Sequence, residues 1–133
     1  MQITAVVTNS VAGYEVALRT GTSLQSLHVP PKATGKGSAV NGGEFLMLAL
    51  ATCYCNDLYR EAERLGVPIE GVEVEASAEF PGIGLAATNI KYRATVSSSA
   101  ASSAVAQLLR ETDAVAEIQN TVRAGVPVEL ALR

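Results

Sequence analysis

The sequence has no tryptophan, only one histidine, and aromatic residues at just 5% of its 133 positions. Its lysines and arginines, 10 in all, are scattered singly and form no basic stripe. Proteins that bind nucleic acids usually combine a basic patch with aromatic side chains on which bases stack. We therefore expect no nucleic-acid partner.

Long apolar runs are also missing. The most apolar stretch, residues 45–55, is 11 residues long, whereas a membrane-spanning helix needs about 20. The N-terminus lacks the basic region and apolar core of a secretory signal peptide. We therefore expect a cytoplasmic protein that does not enter the membrane, whose two cysteines are reduced and serve chemistry instead of crosslinking.

What the sequence does contain is typical of one globular domain spanning residues 1–133. Hydrophobic residues make up 48% of the chain, charged residues 17%, and the formal net charge is −3. No low-complexity or polar tract interrupts it, which argues against disorder. This length allows a hydrophobic core without disulfide support.

The pattern of apolar residues predicts nine elements in the order β-β-β-α-β-β-α-α-β, an α+β fold with a mostly antiparallel sheet. Three short strands precede a Gly-rich loop and a long helix, and an alternating hairpin follows. Two helices and a final strand complete the chain. The predicted ranges are 2–8, 14–20, 23–29, 44–65, 69–80, 90–96, 101–113, 114–124 and 126–132.

The first half of the long helix is apolar on all sides, over residues 45–53. A helix of this kind should be buried on every face. A chain of this size has few elements with which to cover it, but two such helices packed across a two-fold axis would cover each other. The sequence therefore predicts an intertwined homodimer with this helix at its centre.

Cys53 and Cys55 allow four interpretations. Both could be ordinary core residues, since free cysteine is often buried. A disulfide between them is disfavoured because residues two apart on a helix point about 200° apart. A zinc site is disfavoured because two diverging thiolates and the lone His28 cannot complete a tetrahedron within one chain. The fourth interpretation is a single reactive thiolate.

A resemblance to a known family raises the fourth interpretation. The segment GGEFLMLALATCYCNDLYREAERLGVPIEGVEVEASAEF resembles the central helix of the OsmC/Ohr family and the strand that follows it. Glu44 stands nine residues before Cys53, and the helix exit matches at Gly66, Pro68 and Gly71. The segment IQNTVRAGVPVEL resembles the C-terminal part of that family.

The resemblance implies a peroxidase that reduces organic hydroperoxides, with Cys53 as the peroxidatic cysteine and no cofactor or metal. In the family a second cysteine resolves the oxidised sulfur, but the corresponding position here is Ala116. An arginine that supports the thiolate is also missing, because that stretch reads Asn9-Ser10-Val11, and Arg19 matches it poorly. We therefore expect an external thiol to act as the reductant.

The resemblance also makes Glu44 a candidate catalytic residue. Nine residues along a straight helix put Glu44 about half a turn away from Cys53 and about 13 Å along the axis. Only Glu44 of a partner subunit could therefore approach Cys53 of the first. The other interpretation is a first-turn carboxylate favoured by the helix dipole. His28, near the end of a predicted strand, could be either a general base or a structural residue.

Two hypotheses follow from the sequence. The first is a thiol-dependent hydroperoxide reductase that acts through Cys53. The second is a non-catalytic protein of the same fold that binds an apolar small molecule at the dimer interface. The missing arginine and resolving cysteine favour the second, while the retained Glu44 and Cys53 favour the first.

Overall fold

A computed structural model describes residues 1–132 and has two compact units, Met1–Phe45 and the chain from Leu46 onward. Its element order is β1 (Ile3–Ser10), β2 (Gly13–Thr20), β3 (Ser23–Ser26), α1 (Gly42–Leu65), β4 (Gly71–Glu79), β5 (Thr88–Ser97), α2 (Ser102–Val115) and α3 (Glu117–Ala124). The α+β class and its antiparallel pairing are confirmed. None of the described helices has the length and apolarity required to cross a bilayer.

The first unit is a three-stranded antiparallel meander in the order β1-β2-β3. Short turns fix its register, which pairs Val7 with Val16 and Leu18 with Gln25. Gly13, with φ of 135°, closes the first hairpin in a conformation that residues with a Cβ rarely adopt. The predicted third strand stops at Ser26, before the two prolines that limit it.

Helix α1 has sequence-encoded signals at both ends. At its start, Glu44 accepts a hydrogen bond from the Asn41 backbone N–H (2.7 Å), and Asn41 Oδ1 accepts one from the Glu44 N–H (3.0 Å). This reciprocal pair is a capping box. At its end Gly66 has φ of 67°, and the Val67 N–H bonds the Ala62 carbonyl at 2.9 Å. That arrangement is a Schellman motif, and it ends the helix at Leu65.

Strands β4 and β5 form the predicted hairpin. Apolar side chains alternate with charged ones along both strands, so one face is half-buried and the other is exposed. Glu75 lies directly opposite Arg93, and the two side chains form an ion pair of 2.6 Å. Opposite charges therefore pair across the hairpin at this position.

The core of the second unit lies between α1, the β4–β5 hairpin, α2 and α3. Leu58, Leu108 and Ala116 are fully buried, and Tyr54 packs edge-on against Tyr92 with ring centroids 4.8 Å apart. The hydroxyl of Tyr54 donates to the Leu109 carbonyl at 2.7 Å, so the buried phenol is satisfied. This core brings the start of α3 against the middle of α1.

The predicted ninth element is not formed. Within the described residues, 126–132 form no strand, and Val128 and Leu130 are 98% and 86% exposed. A strand requires a neighbour that accepts its backbone hydrogen bonds, and this segment has none in the single chain. The single chain does not bury α1 on every face, because Leu48 is 54% exposed, and its predicted burial in a homodimer stays a prediction.

Candidate functional site

Three polar side chains share one face of the second half of α1. Cys53, Asp57 and Arg60 are spaced four and three residues apart, which places them on successive turns. The Cys53 thiol lies 3.5 Å from Asp57 Oδ2, to which it donates a hydrogen bond. Arg60 Nη1 lies 2.8 Å from Asp57 Oδ1 on the other side of that carboxylate. Asp57 is therefore held between a thiol and a guanidinium.

The N-terminus of α3 completes the site. Glu117, the first residue of α3, places its Oε2 3.8 Å from Cys53 Sγ and its Oε1 3.9 Å from Arg60 Nη1. The next residue, Ile118, contributes a backbone hydrogen bond to the thiol. A backbone donor at a helix N-terminus favours negative charge on the sulfur.

The environment of the Cys53 sulfur acts in two directions. Burial is the largest influence and raises the pKa of the Cys53 thiol. The hydrogen bond from Ile118 lowers this pKa, whereas the neighbouring Asp57 and Glu117 carboxylates raise it. The net effect is a raised pKa, so in the single chain the thiol is mainly protonated at neutral pH.

The two carboxyl groups are shifted in opposite directions. Burial raises the pKa of Asp57, and Arg60 only partly offsets it. A hydrogen bond from its own backbone N–H lowers the pKa of Glu117, and the Arg60 charge lowers it further. Asp57 has a side chain only 7% exposed, whereas that of Glu117 is 68% exposed. A proton on this pair therefore resides on the buried Asp57.

Cys53, Asp57 and Glu117 have ligand atoms within 4.8 Å of one another, close enough to surround a metal ion. Arg60 already supplies a cation at 2.8 Å from Asp57 and 3.9 Å from Glu117. The guanidinium offsets part of the negative charge of the two carboxylates, and a hydrogen-bonded thiol lies beside them. The described side chains of the cluster form an ion-pair and hydrogen-bond network.

Cys55 has different surroundings. It lines a shallow groove with Ala51, Thr52, Asn56 and Val74, and both cysteines are free thiols. The opposed directions of residues two apart on a helix are therefore seen here, with Cys53 facing α3 and Cys55 facing β4.

The other residues singled out from the sequence lie in the first unit. Glu44 lies in the first turn of α1, as the structural interpretation expected, and is also engaged in the capping box. Its catalytic role stays a prediction. His28 lines a hollow of about 370 Å³ with Val6 and Tyr14. Arg19 is an exposed strand residue paired with Leu24.

Sequence reasoning missed Asp57, Arg60 and Glu117. The spacing of the first two from Cys53 was a usable signal, because a helix was already predicted there and residues four and seven apart share a face. No comparable signal existed for Glu117, which is separated from Cys53 by 64 residues.

Comparisons with known proteins agree with this architecture. The family model described as OsmC-like protein matches residues 35–131, and the chain therefore belongs to the OsmC-like family. No curated protein matches the chain.

Solved structures resemble it at low identity and so support the fold alone. An OsmC-like protein from Mycoplasma pneumoniae has a TM-score of 0.65 at 17% identity, covering 92% of this chain and 86% of its own. An organic hydroperoxide resistance protein OsmC from Legionella pneumophila has a TM-score of 0.59 at 16% identity. The match covers 95% of this chain and 93% of that protein. An OsmC-like hydroperoxide resistance protein from Jannaschia sp. CCS1 has a TM-score of 0.55 at 15% identity. The match covers 88% of this chain and 79% of that protein.

Proposed function

We propose that the chain reduces organic hydroperoxides at Cys53, as a thiol-dependent peroxidase in the cytoplasm. The observation that carries this proposal is the environment of the Cys53 sulfur. The thiol is half-buried, donates to the Asp57 carboxylate at 3.5 Å and receives a backbone hydrogen bond from Ile118 at the start of α3. The description of two similar structures as hydroperoxide resistance proteins supports the same chemistry.

The reaction requires a sulfur nucleophile and a route for one proton. The Cys53 sulfur attacks the terminal oxygen of the hydroperoxide, an S–O bond forms and the O–O bond breaks. Cysteine is oxidised to a sulfenic acid, and the hydroperoxide is reduced to the alcohol after its alkoxide takes up the thiol proton. A carboxylate in contact with the thiol and a backbone donor aimed at the sulfur suit this step.

An external thiol completes the cycle in this proposal. Ala116, at the position that corresponds to the family's resolving cysteine, is fully buried and carries no sulfur. Cys55 lines a groove beside β4, whereas Cys53 faces α3. The sulfenic acid therefore has no thiol of its own chain beside it, and a small dithiol or a redox protein would reduce it.

A homodimer is part of the proposal. Leu48 on α1 is 54% exposed, and Val128, Leu130 and Leu132 on the C-terminal segment are 86–98% exposed. The last three alternate along a segment that has the sequence of a strand but forms none within the described residues. A second copy of the chain would cover the apolar helix and pair this segment, which supports a two-fold assembly.

A second function, binding of an apolar small molecule, is favoured by one observation. Burial raises the pKa of the Cys53 thiol, which makes the single-chain site a poor nucleophile at neutral pH. An open groove of about 420 Å³ between α1 and β4, lined by Met47, Leu48, Ala51 and the facing β4 residues, offers a surface for such a ligand.

The experiment that separates the two functions is dithiol-coupled consumption of tert-butyl hydroperoxide. Wild type is compared with Cys53→Ser and with Cys55→Ser, the matched control on the same helix. The proposal expects turnover by wild type and Cys55→Ser, and none by Cys53→Ser. Wild-type turnover no faster than the dithiol alone would refute the peroxidase and leave the binding protein.

A further inference from the structure

The buried Asp57 carboxylate has a geometry that ordinary helix packing does not require. Its side chain is 7% exposed, and one oxygen contacts the Cys53 thiol at 3.5 Å while the other pairs with Arg60 at 2.8 Å. Burying an ionised carboxylate costs free energy unless its partners compensate for it. A carboxylate kept in such a place, on the sulfur that the proposed function uses, suggests a chemical role.

We propose that Asp57 is a catalytic residue: it accepts the Cys53 proton as the sulfur attacks the hydroperoxide and returns it to the departing alkoxide oxygen. This inference rests on the proposed function. The proton moves from sulfur to Asp57 and then to the alkoxide, so Cys–SH and ROOH give Cys–SOH and ROH with atoms balanced. The oxidant is the organic hydroperoxide itself.

Three groups beside Asp57 would set its proton affinity. Cys53 and Arg60 lie on α1, and Glu117 lies at the start of α3. Arg60 favours the ionised form of Asp57, which is the form that can accept a proton. Glu117, whose side chain is 68% exposed, favours the protonated form of Asp57.

A purely electrostatic Asp57 would have a different effect. Its negative charge and its hydrogen bond raise the pKa of the Cys53 thiol, so removing the charge should make the thiolate easier to form. If Asp57 only hindered ionisation, Asp57→Asn would speed every reaction of the sulfur. If Asp57 transfers the proton, Asp57→Asn would instead slow those reactions in which the leaving group must be protonated.

Two electrophiles separate these roles. Iodoacetamide releases iodide, which needs no proton, whereas tert-butyl hydroperoxide releases an alkoxide that does. We expect Cys53 of Asp57→Asn to be alkylated by iodoacetamide faster than Cys53 of wild type at neutral pH. The same variant should react with the hydroperoxide about 100-fold more slowly, or slower still. Glu63→Gln, which removes an exposed carboxylate from the same helix, is the control and should leave both rates unchanged.

Arg60 provides an independent test that avoids changing a buried residue. The Arg60 side chain is 52% exposed. Arg60→Gln removes the charge that favours the ionised form of Asp57 and should therefore raise the pKa of Asp57. The rate of the hydroperoxide reaction falls on the acid side of its pH profile, and this acid limb should then lie about one pH unit higher. A purely structural role for Arg60 would change the rate at all pH values and leave that limb in place.

The outcomes are distinct. Slower hydroperoxide reaction with faster alkylation in Asp57→Asn, and a shifted acid limb in Arg60→Gln, support the proton transfer. Faster reaction with both electrophiles, or an unmoved limb, overturns it while the peroxidase stands. Wild type that reacts with hydroperoxide no faster than Cys53→Ser overturns the peroxidase, and the inference falls with it.

Discussion

Asp57 follows Cys53 by one turn of α1, and its Oδ2 accepts a hydrogen bond from the thiol at 3.5 Å. The contact joins a thiol and a carboxyl group whose pKa values are both raised in the folded chain. Burial is the first cause of the raised pKa of both Cys53 and Asp57, and each group adds its own effect on the other. Both shifts favour the protonated form of the group concerned.

A consequence for stability follows from Asp57. Its pKa in the folded chain is raised above the ordinary value of 3.8, so the ionised form is less favourable in the folded than in the unfolded state. The associated stability is complete below the unfolded pKa and is lost as pH rises through the folded one. Asparagine resembles the protonated acid, and Asp57→Asn should therefore raise Tm at neutral pH.

The measurement is Tm by circular dichroism across the acidic and neutral range. The gain of Asp57→Asn over wild type should shrink as pH falls through the raised pKa of Asp57 and should be absent below the ordinary value of 3.8, where wild type is itself protonated. A variant that is less stable at neutral pH would mean that the Arg60 ion pair outweighs the cost of burying the charge.

Glu61 should behave in the opposite way. It accepts hydrogen bonds from Arg64 Nε at 2.6 Å and from Arg60 Nε at 3.4 Å, and the Arg64 contact is the main cause of its lowered pKa. Its contribution to stability is present above the unfolded value of 4.5 and is lost as pH falls through the folded pKa.

Glu61→Gln should therefore lower Tm at neutral pH, and the difference from wild type should vanish in acid. Glu63→Gln, at an exposed position two residues along α1, is the matched control and should change little. A deficit of Glu61→Gln that persists unchanged in acid would assign its cause to packing and not to charge.

Glu44 has two roles that one substitution can separate. Glutamine can keep the capping box with Asn41 but carries no charge. We expect Glu44→Gln to change the free energy of unfolding by less than about 0.5 kcal/mol and yet to slow hydroperoxide turnover, because the catalytic prediction requires a carboxylate. Turnover equal to wild type would leave Glu44 with the capping role alone.

The predicted dimer depends on apolar side chains that one chain leaves uncovered. Leu48→Glu places a charge on the exposed part of α1 and should weaken association by about 2 kcal/mol or more, roughly 30-fold in Kd. Light scattering across a dilution series would measure this shift toward monomer. Glu63→Lys, on the exposed face of the second half of α1, should leave the molecular mass unchanged. Wild type that is monomeric at micromolar concentration would contradict the dimer.

The fold was more accessible from sequence than the site. The long helix was predictable because an apolar run, a Gly at position 66 and a Pro at 68 mark its body and end. The β4–β5 hairpin was predictable because its alternation is regular. The C-terminal strand was predicted from the same alternation, but a strand forms only against a partner, and alternation does not identify one.

The candidate site shows a similar division. Cys53 was identified through a family resemblance, and Asp57 and Arg60 could have been identified from their helical spacing. Glu117 could not, since its contact with Cys53 depends on how α3 packs against α1. The raised pKa of Cys53 was equally inaccessible, because burial and the two carboxylates that cause it are properties of the packed structure.

The central claim is that Cys53 is the sulfur that hydroperoxide oxidises. The most direct test is to expose the reduced protein to one equivalent of tert-butyl hydroperoxide without any thiol and to locate the added oxygen by peptide mass spectrometry. We predict a single added oxygen on Cys53, trapped as a sulfenic acid adduct, with Cys55 unmodified and further oxidation to sulfinic acid only at excess peroxide. Oxygen on Cys55 first, or no oxidation of either cysteine, would contradict the claim.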